Sequence, residues 1–278
     1  MRGHLGQTST AELAERARRI RQSVIQMIAP RGQGYVAQGL GAADIFATLY
    51  FDELRLDPSR PDWEERDRCI LSTAHNSAVF LATLAERGFF PTSRLAEYTT
   101  DGSALEINVS ERMGPVVEAT CGSLGQGLSV AVGMALSARR KDQDHRIYVI
   151  LGDGELQEGQ VWEAAMAAGS YGLSNICLII DLNWMQVEGD TDLILKMRPI
   201  AEKWDAFGWN VEFADGNDID QLRAALDRSR SVTNKPSVII AETLVGKGIE
   251  FLEGKKSHNM KLPPELAARA LEALEISR

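Results

Sequence analysis

The stretch GDGELQEGQVWEAAMAAGSYGLSNICLIIDLN, residues 152–183, decides the fold of this 278-residue chain. An apolar run ends at Asp153, and a second apolar run ends at Asn183. The segment between them, residues 156–172, is predicted to be a helix. Continuous apolar strands joined by a helix are typical of neighbouring strands in a parallel sheet. We therefore expect Asp153 and Asn183 to lie at the same edge of one sheet.

The same alternation of strands and helices continues on both sides of this stretch. Further strands are predicted at 67–72, 209–214 and 236–243. Further helices are predicted at 10–28, 39–54, 75–88, 218–230 and 263–276, the first with Ser9 or Thr10 near its cap, and residues 122–140 are predicted to be a glycine turn that leads into an apolar helix. This pattern predicts an α/β fold, a parallel sheet with helices on both faces, in a single domain over residues 1–278.

The composition argues against several classes of function. Apolar residues make up 44% of the chain and charged residues 25%, as in ordinary globular proteins. The net charge of −9 argues against nucleic acid as a partner, because no basic surplus is present to neutralise phosphates. No signal peptide and no apolar run of 18 residues is visible, so neither export nor a membrane span is expected.

The three cysteines show no spacing that suits a metal site or a disulfide framework. Cys69, Cys121 and Cys177 are widely separated, and their number is odd. We expect them to be buried, reduced thiols, which are typical of a cytoplasmic protein.

The residues at the two strand ends have the chemistry of a cation and phosphate site. The oxygen atoms of Asp153 and Asn183 suit Mg²⁺ or Ca²⁺ better than zinc. The helix that starts near Glu155 would favour a phosphate group, and Gly152 and Gly154 allow close backbone approach. The alternative is that Asp153 and Asn183 are ordinary turn residues at strand ends.

Several segments, taken together, resemble the N-terminal half of transketolase, a thiamine diphosphate-dependent enzyme. They occur in the same order as in that family: LSTAHNS (71–77), EATCGSLGQGLSVAVGMA (118–135), GDGELQEGQVWEA (152–164), DLNWMQVEG (181–189), ETLVGKGIEF (242–251) and SHN (257–259). The resemblance covers about residues 15–262. It implies the thiamine diphosphate-binding fold, thiamine diphosphate and Mg²⁺ as cofactors, and transfer of a two-carbon ketol unit from a ketose to an aldose.

The resemblance assigns cofactor roles to particular residues. Asp153 and Asn183 would bind Mg²⁺ through their side chains, and Met185 through its backbone carbonyl. Gly154 would contact the diphosphate. Lys247 would either approach the diphosphate or lie on the surface, and the sequence leaves this open.

The resemblance also implies a catalytic pair and an apolar cofactor wall. His75 and His258 would be cofactor-binding and catalytic residues near the diphosphate and the reactive carbon. Gly122 and Leu124 would lie against the cofactor rings. The alternatives are that His75 only caps a helix, that His258 is solvated, and that the glycine turn is only a helix entry.

The chain resembles only the diphosphate-binding half of the family. Full-length transketolases are about twice as long or more, and a second domain supplies the glutamate that activates the cofactor pyrimidine. The resemblance therefore implies a separate partner chain that carries the pyrimidine-binding domain, in a heterotetramer. Glu158 and Glu163 match acidic residues at the family's subunit interface, although a solvated helix face is the alternative.

The sequence departs from the family where the sugar phosphate substrate binds. Tyr35 replaces a substrate-contacting histidine, and Gln38 lies beside it. Asn108 is the nearest equivalent of a second such histidine, in a loop that aligns loosely. Since these side chains mainly form hydrogen bonds at neutral pH, the departure favours a non-standard sugar. The alternative is that the partner chain supplies the missing groups.

Three other functions compete with this interpretation. One is the alpha chain of a 2-oxo acid dehydrogenase, which is also a half-enzyme with a beta partner. Another is a regulatory protein without catalysis, although the retained Asp153 and Asn183 argue against it. A nicotinamide-binding oxidoreductase is the weakest, because the glycine fingerprint and the acidic ribose residue are absent.

Overall fold

Five strands form one parallel sheet in the computed structural model, which describes residues 8–255 and 257–276. The described strands are β1 (Gln33–Gly34), β2 (Arg68–Leu71), β3 (Ile147–Gly152), β4 (Ile176–Leu182), β5 (Met185–Gln186), β6 (Gly189–Asp190), β7 (Asn210–Asp215), β8 (Ser237–Glu242) and β9 (Met260–Lys261). The order across the large sheet is β2-β3-β4-β8-β7, and every neighbouring pair in it is parallel. Two short antiparallel pairs, β1 with β9 and β5 with β6, lie outside it.

Helices cover both faces of this sheet. Their bounds are α1 (Thr10–Ile28), α2 (Val36–Thr48), α3 (Ser77–Arg87), α4 (Gln126–Arg140), α5 (Gly159–Ser170), α6 (Thr191–Ile194), α7 (Ile200–Ala206), α8 (Ile219–Ser231) and α9 (Pro264–Ile276). The predicted fold class is therefore confirmed. The first helix starts where the sequence predicts, because the Ser9 hydroxyl accepts from the amide of Glu12 and the Glu12 side chain accepts from the amide of Ser9.

Alternation along the strands divides the core into two halves. One half of the core contains residues of α1, α2, α3, α8 and α9, and the sheet contributes Tyr148, Ile150, Cys177, Ile179 and Ile239 to it. The other half contains residues of α4, α5 and α7, and the sheet contributes Val149, Leu151, Leu178, Ile180 and Val238 to it. Strands buried on both faces must be apolar throughout, which is why they are continuous runs in the sequence. The three cysteines are free and buried, as expected.

The second helix begins earlier than the sequence predicts. We expected a glycine turn before residue 39, but α2 already begins at Val36, and it continues beyond Thr48 as a π-helical segment over Leu49–Glu53. Gly39 and Gly41 do not break this helix. A Cβ atom on Gly41 would lie 2.9 Å from the carbonyl oxygen of Leu244. These glycines allow a buried helix to pack closely against its neighbours. The local sequence pattern alone cannot distinguish such packing glycines from turn glycines.

Several other boundaries differ by a few residues. Short 3₁₀ segments, Ala74–Asn76 and Gly154–Gln157, precede α3 and α5, and the glycine turn continues to Gly125 before α4 starts. The small helices α6 and α7 were not predicted. None of the helices in the described ranges is both long and apolar enough to cross a membrane.

Parallel pairing brings the strand ends to one edge of the sheet. Gly152 pairs with Asp181, so Asp153 and Asn183 both leave the sheet just beyond that pair. Ser72 follows β2 at the same edge, and Thr243 follows β8. This edge therefore collects polar side chains from four neighbouring strands.

Close packing of α5 against the segment before β7 predicts a strong stability effect at Gly169. A Cβ atom there would lie 1.8 Å from the carbonyl oxygen of Phe207. Gly169→Ala should lower the free energy of unfolding by about 1–3 kcal/mol, because the core must deform to accept the methyl group. Urea unfolding of the purified chain, followed by circular dichroism, measures this.

Gly133→Ala is the matched control for that measurement. Gly133 lies inside α4, and a Cβ atom there would meet nothing within 4 Å. The substitution should raise the free energy of unfolding by about 0.5–1 kcal/mol, since alanine is the better helix former. Equal stability of Gly169→Ala and the unaltered chain would contradict the packing at Gly169.

Candidate functional site

A cavity of about 500 Å³ opens at the carboxyl edge of β2, β3 and β4. Most residues that the sequence singles out line its wall: Tyr35, Gln38, His75, Leu124, Asp153, Gly154, Glu158, Asn183, Met185 and His258. They come from six separate parts of the chain. The sheet edge therefore brings the proposed metal, cofactor and substrate residues into one space.

Four other predicted residues lie outside this wall. Gly122 and Asn108 are exposed in the loops before α4, and Glu163 is exposed on α5. Lys247 lines a different cavity, of about 800 Å³, beside Arg198 and Glu242. For Lys247, which the sequence left open, the structure favours a position away from the proposed diphosphate site.

Asp153 is a buried carboxylate without a positively charged partner among the residues that the structure describes. It is 2% exposed. Its Oδ1 atom accepts from the amide of Gly154 at 2.9 Å, and its Oδ2 atom accepts from the hydroxyl of Thr191 at 3.3 Å. Burial, and then the charge of Asp181, raise the pKa of Asp153 to about 7. A bound cation would compensate this buried charge.

A tight turn places Asn183 and Met185 next to each other on the cavity wall. The Oδ1 atom of Asn183 accepts from the amide of Met185 at 3.1 Å. Between them, Trp184 has a φ of 58°, in the left-handed region that a bulky side chain rarely adopts. The Trp184 indole donates to Glu242 at 2.9 Å, and the Arg198 guanidinium lies 4.0 Å from its ring centroid. These contacts hold the strained turn in place.

The donor atoms at this turn fit Mg²⁺ better than a transition metal. In the described ranges, no three His, Cys, Asp or Glu side chains form a cluster that could hold a metal ion. The set that lines the cavity is instead a carboxylate, a side-chain amide and a backbone carbonyl. Such hard oxygen ligands suit Mg²⁺, which keeps further positions for phosphate oxygens and water.

Three aromatic rings on the cavity wall pack together. The ring centroid of His75 lies 4.6 Å from those of Tyr35 and His258, and the Tyr35 and His258 centroids are 5.2 Å apart. Burial, and then the charge of His258, lower the pKa of His75 to about 4. Burial also lowers the pKa of His258. Both imidazoles are therefore neutral at pH 7 and able to donate or accept a proton.

Glu155 joins three parts of the site, although the sequence marks it only as a helix start. Its Oε1 atom accepts from the amide of Gly125 at 2.6 Å and from the hydroxyl of Ser72, and its Oε2 atom accepts from the amide of Gly152 at 3.2 Å. The carboxylate links the ends of β2 and β3 to the glycine turn before α4. Burial raises its pKa to about 7. The position of this acid directly after Gly-Asp-Gly is the sequence feature that could have identified it as a site residue.

Asn76 and Asp181 form a second connection that was not predicted from the sequence. The Nδ2 atom of Asn76 donates to Asp181 Oδ2 at 3.0 Å, and the hydroxyl of Thr243 donates to Asp181 Oδ1. Burial raises the pKa of Asp181. A charged residue inside an otherwise apolar strand could have drawn attention to Asp181.

Comparison with known proteins agrees with this α/β fold. The family model described as "Transketolase, thiamine diphosphate binding domain" matches residues 13–273. The chain therefore belongs to the transketolase family and corresponds to its N-terminal, thiamine diphosphate-binding part, as the sequence motifs predict.

Two relatives match the chain over nearly their whole length. A 6-deoxy-6-sulfo-D-fructose transketolase subunit from a Clostridium species is 40% identical over 265 residues, which cover 95% of this chain and 96% of that protein. An apulose-4-phosphate transketolase subunit from Actinobacillus succinogenes is 39% identical over 256 residues, 91% of each chain.

A solved transketolase structure agrees with the fold. The crystal structure of the Campylobacter jejuni transketolase superposes with a TM-score of 0.90 at 32% identity. The match covers 96% of this chain but 43% of that one. This chain thus corresponds to less than half of that transketolase.

The ring cluster predicts an unusual acid titration for His75. Its midpoint should lie at about 4 in the folded chain, because burial and a second imidazole disfavour the charged form. Since the folded pKa is below the ordinary value of 6.5, His75 destabilises the fold as the pH falls from 6.5 to about 4. NMR of the histidine ring signals across this range measures the midpoint.

His258→Gln separates the two causes of this shift. Removing the second imidazole should raise the His75 midpoint while leaving it below 6.5, because the larger cause, burial, remains. Tyr35→Phe is the control that keeps the ring contacts. A His75 midpoint near 6.5 in the unaltered chain would contradict the buried ring cluster.

Proposed function

We propose that this chain, as one domain over residues 1–278, is the diphosphate-binding subunit of a two-chain transketolase. The complete enzyme transfers a two-carbon ketol unit from a ketose to an aldose and uses thiamine diphosphate and Mg²⁺. The observation that supports this most is the buried Asp153 carboxylate, which lines one cavity with Asn183 and Met185 and has no described cationic partner.

The proposed metal site uses oxygen atoms from the ends of β3 and β4. Asp153 and Asn183 would hold Mg²⁺ through their side chains, and Met185 through its carbonyl. Gly154 would lie against the diphosphate. Any Cβ atom on Gly154 would come 2.8 Å from the Cβ atom of Gln186, so the turn has no room for a side chain.

The ring cluster would serve the reacting end of the site. When bound, thiamine diphosphate would supply the nucleophilic carbon that ketol transfer requires. His75 and His258, neutral at pH 7, would take and return protons on the sugar hydroxyls. Leu124 would form part of the apolar wall beside the cofactor rings, and Gly122 would flank it.

A separate partner chain would complete the active site. The Clostridium and Actinobacillus succinogenes relatives both carry the word "subunit" in their names, and this chain spans 43% of the Campylobacter jejuni transketolase. The partner would carry the pyrimidine-binding domain and the activating glutamate, in a heterotetramer. Glu158, exposed at the cavity just before α5, and Glu163, exposed on α5, would face that interface.

The substrate would be a non-standard sugar, most simply a sugar phosphate. The names of the two relatives specify 6-deoxy-6-sulfo-D-fructose and apulose-4-phosphate, which differ from the common pentose phosphates. Tyr35 contacts both histidine rings and would set substrate choice together with Gln38. Asn108 is exposed and would take part only if its loop closes over the cavity in the complete enzyme. Neither the dehydrogenase nor the regulatory alternative gains support from these observations.

Removal of the Asp153 carboxylate tests the proposed metal site. In the two-chain enzyme, Asp153→Ala should weaken Mg²⁺-dependent binding of thiamine diphosphate by more than about a hundredfold, since even indirect supports of a metal ligand contribute about 10–100-fold. Calorimetric titration of cofactor into metal-loaded enzyme measures the affinity. Asp205→Ala, an exposed acid on α7, is the control and should bind like the unaltered enzyme. Unaltered affinity in Asp153→Ala would refute the assignment.

Replacement of Tyr35 tests the proposed substrate choice. Tyr35→His should raise kcat/KM for D-xylulose 5-phosphate relative to the native donor, because it restores an imidazole beside His75 and His258. Tyr35→Phe, which keeps a ring but adds no imidazole, should not produce this change. If the ratio of the kcat/KM values for the two donors is the same in Tyr35→His and in the unaltered enzyme, Tyr35 does not determine donor specificity.

A further inference from the structure

Two buried amide side chains on the cavity wall have acceptor oxygens without a hydrogen-bond partner. Gln38 is 5% exposed and Asn76 is 2% exposed, and both line the cavity. Within the described part of the chain, neither Gln38 Oε1 nor Asn76 Oδ1 has a donor. Folded proteins leave few such buried groups unpaired, and each exception needs an explanation.

The nitrogen atoms of both amides are already engaged, and this fixes which atom is free. Gln38 Nε2 donates to the carbonyl oxygen of His258 at 2.8 Å, and Asn76 Nδ2 donates to Asp181 Oδ2 at 3.0 Å. Exchange of the oxygen and nitrogen positions would set two acceptors against each other in both places. The free groups are therefore the two carbonyl oxygens.

The position of these oxygens suggests the kind of donor they need. Gln38 is anchored to the backbone of His258, and Asn76 directly follows His75, so the two amides flank the cluster of Tyr35, His75 and His258. A diphosphate only accepts hydrogen bonds at its oxygens, a thiazolium ring has no N–H group, and the amino group of the cofactor pyrimidine would lie in the partner's pyrimidine-binding domain. Sugar hydroxyls, by contrast, are donors of the right kind.

We propose that Gln38 Oε1 and Asn76 Oδ1 accept hydrogen bonds from two hydroxyl groups of the sugar substrate. This pair of acceptors makes the enzyme select hydroxylated substrates over deoxy substrates. A site built to bond a hydroxyl rejects an analogue that lacks it, because its buried polar groups then stay unpaired. The inference rests on the proposed transketolase function, which provides the sugar.

Two aldehydes that differ only in hydroxyl groups test this proposal in the assembled two-chain enzyme. D-glyceraldehyde and propanal serve as acceptors, with 3-hydroxypyruvate as the common donor. Gln38→Met and Asn76→Ala should each lower kcat/KM for D-glyceraldehyde about three- to tenfold more than they lower it for propanal, because any effect of the lost bonds to His258 and Asp181 is common to both aldehydes and only D-glyceraldehyde loses a hydroxyl contact.

The controls separate this proposal from a structural role and from the proposed function. Asn210 lies at the opposite edge of the sheet, and Asn210→Leu should leave kcat/KM unchanged for both aldehydes. An equal loss of kcat/KM for both aldehydes, or no loss for either, would overturn the proposed hydroxyl contacts. Failure of the unaltered enzyme to bind thiamine diphosphate or to transfer a ketol unit would contradict the proposed function instead.

A second measurement does not depend on the folding of any variant. A crystal structure of the unaltered two-chain enzyme soaked with L-erythrulose should place a sugar hydroxyl within about 3.2 Å of each of the two amide oxygens. Water, cofactor or protein donors at both oxygens in that complex would overturn the proposal.

Discussion

The parallel register between β3 and β4 is the constraint on which the rest of the site depends. It pairs Gly152 with Asp181, so that the residues just beyond, Asp153 and Asn183, leave the sheet together. A slip of one residue would turn every side chain of one strand to the opposite face. Because both faces of these strands are buried against helices, the packed core holds the register, and the register in turn positions the candidate metal ligands.

Three buried acids at this edge show why the site has a fixed shape. Asp153, Glu155 and Asp181 are each 2% exposed, and each accepts hydrogen bonds from neighbouring loops. Buried carboxylates are costly unless donors or cations surround them. Glu155 and Asp181 tie the strand ends and the glycine turn together, while Asp153 faces the cavity where the proposed Mg²⁺ would compensate its charge. The same group of acids thus holds the loops and prepares the cofactor site.

The sequence was most informative where candidate site residues directly follow a recognisable strand or helix pattern. The apolar runs before Asp153 and Asn183, with a helix between them, were enough to predict the parallel sheet and the meeting of those side chains. The start of α2 was wrong because buried glycines such as Gly41 resemble turn glycines locally. The bonds of Glu155 to Ser72 and of Asn76 to Asp181 join residues 83 and 105 positions apart, and no local pattern contains such pairs.

The central claim is that this chain completes an active site only together with a second chain. The most direct test is to purify the chain from its native host under gentle conditions and to assay ketol transfer in the chain alone and in the complex. The account predicts one partner of similar size in equal amount, carrying a pyrimidine-binding domain, and activity in the complex only. A chain that elutes alone and holds no thiamine diphosphate, or that transfers ketol units without a partner, would contradict it.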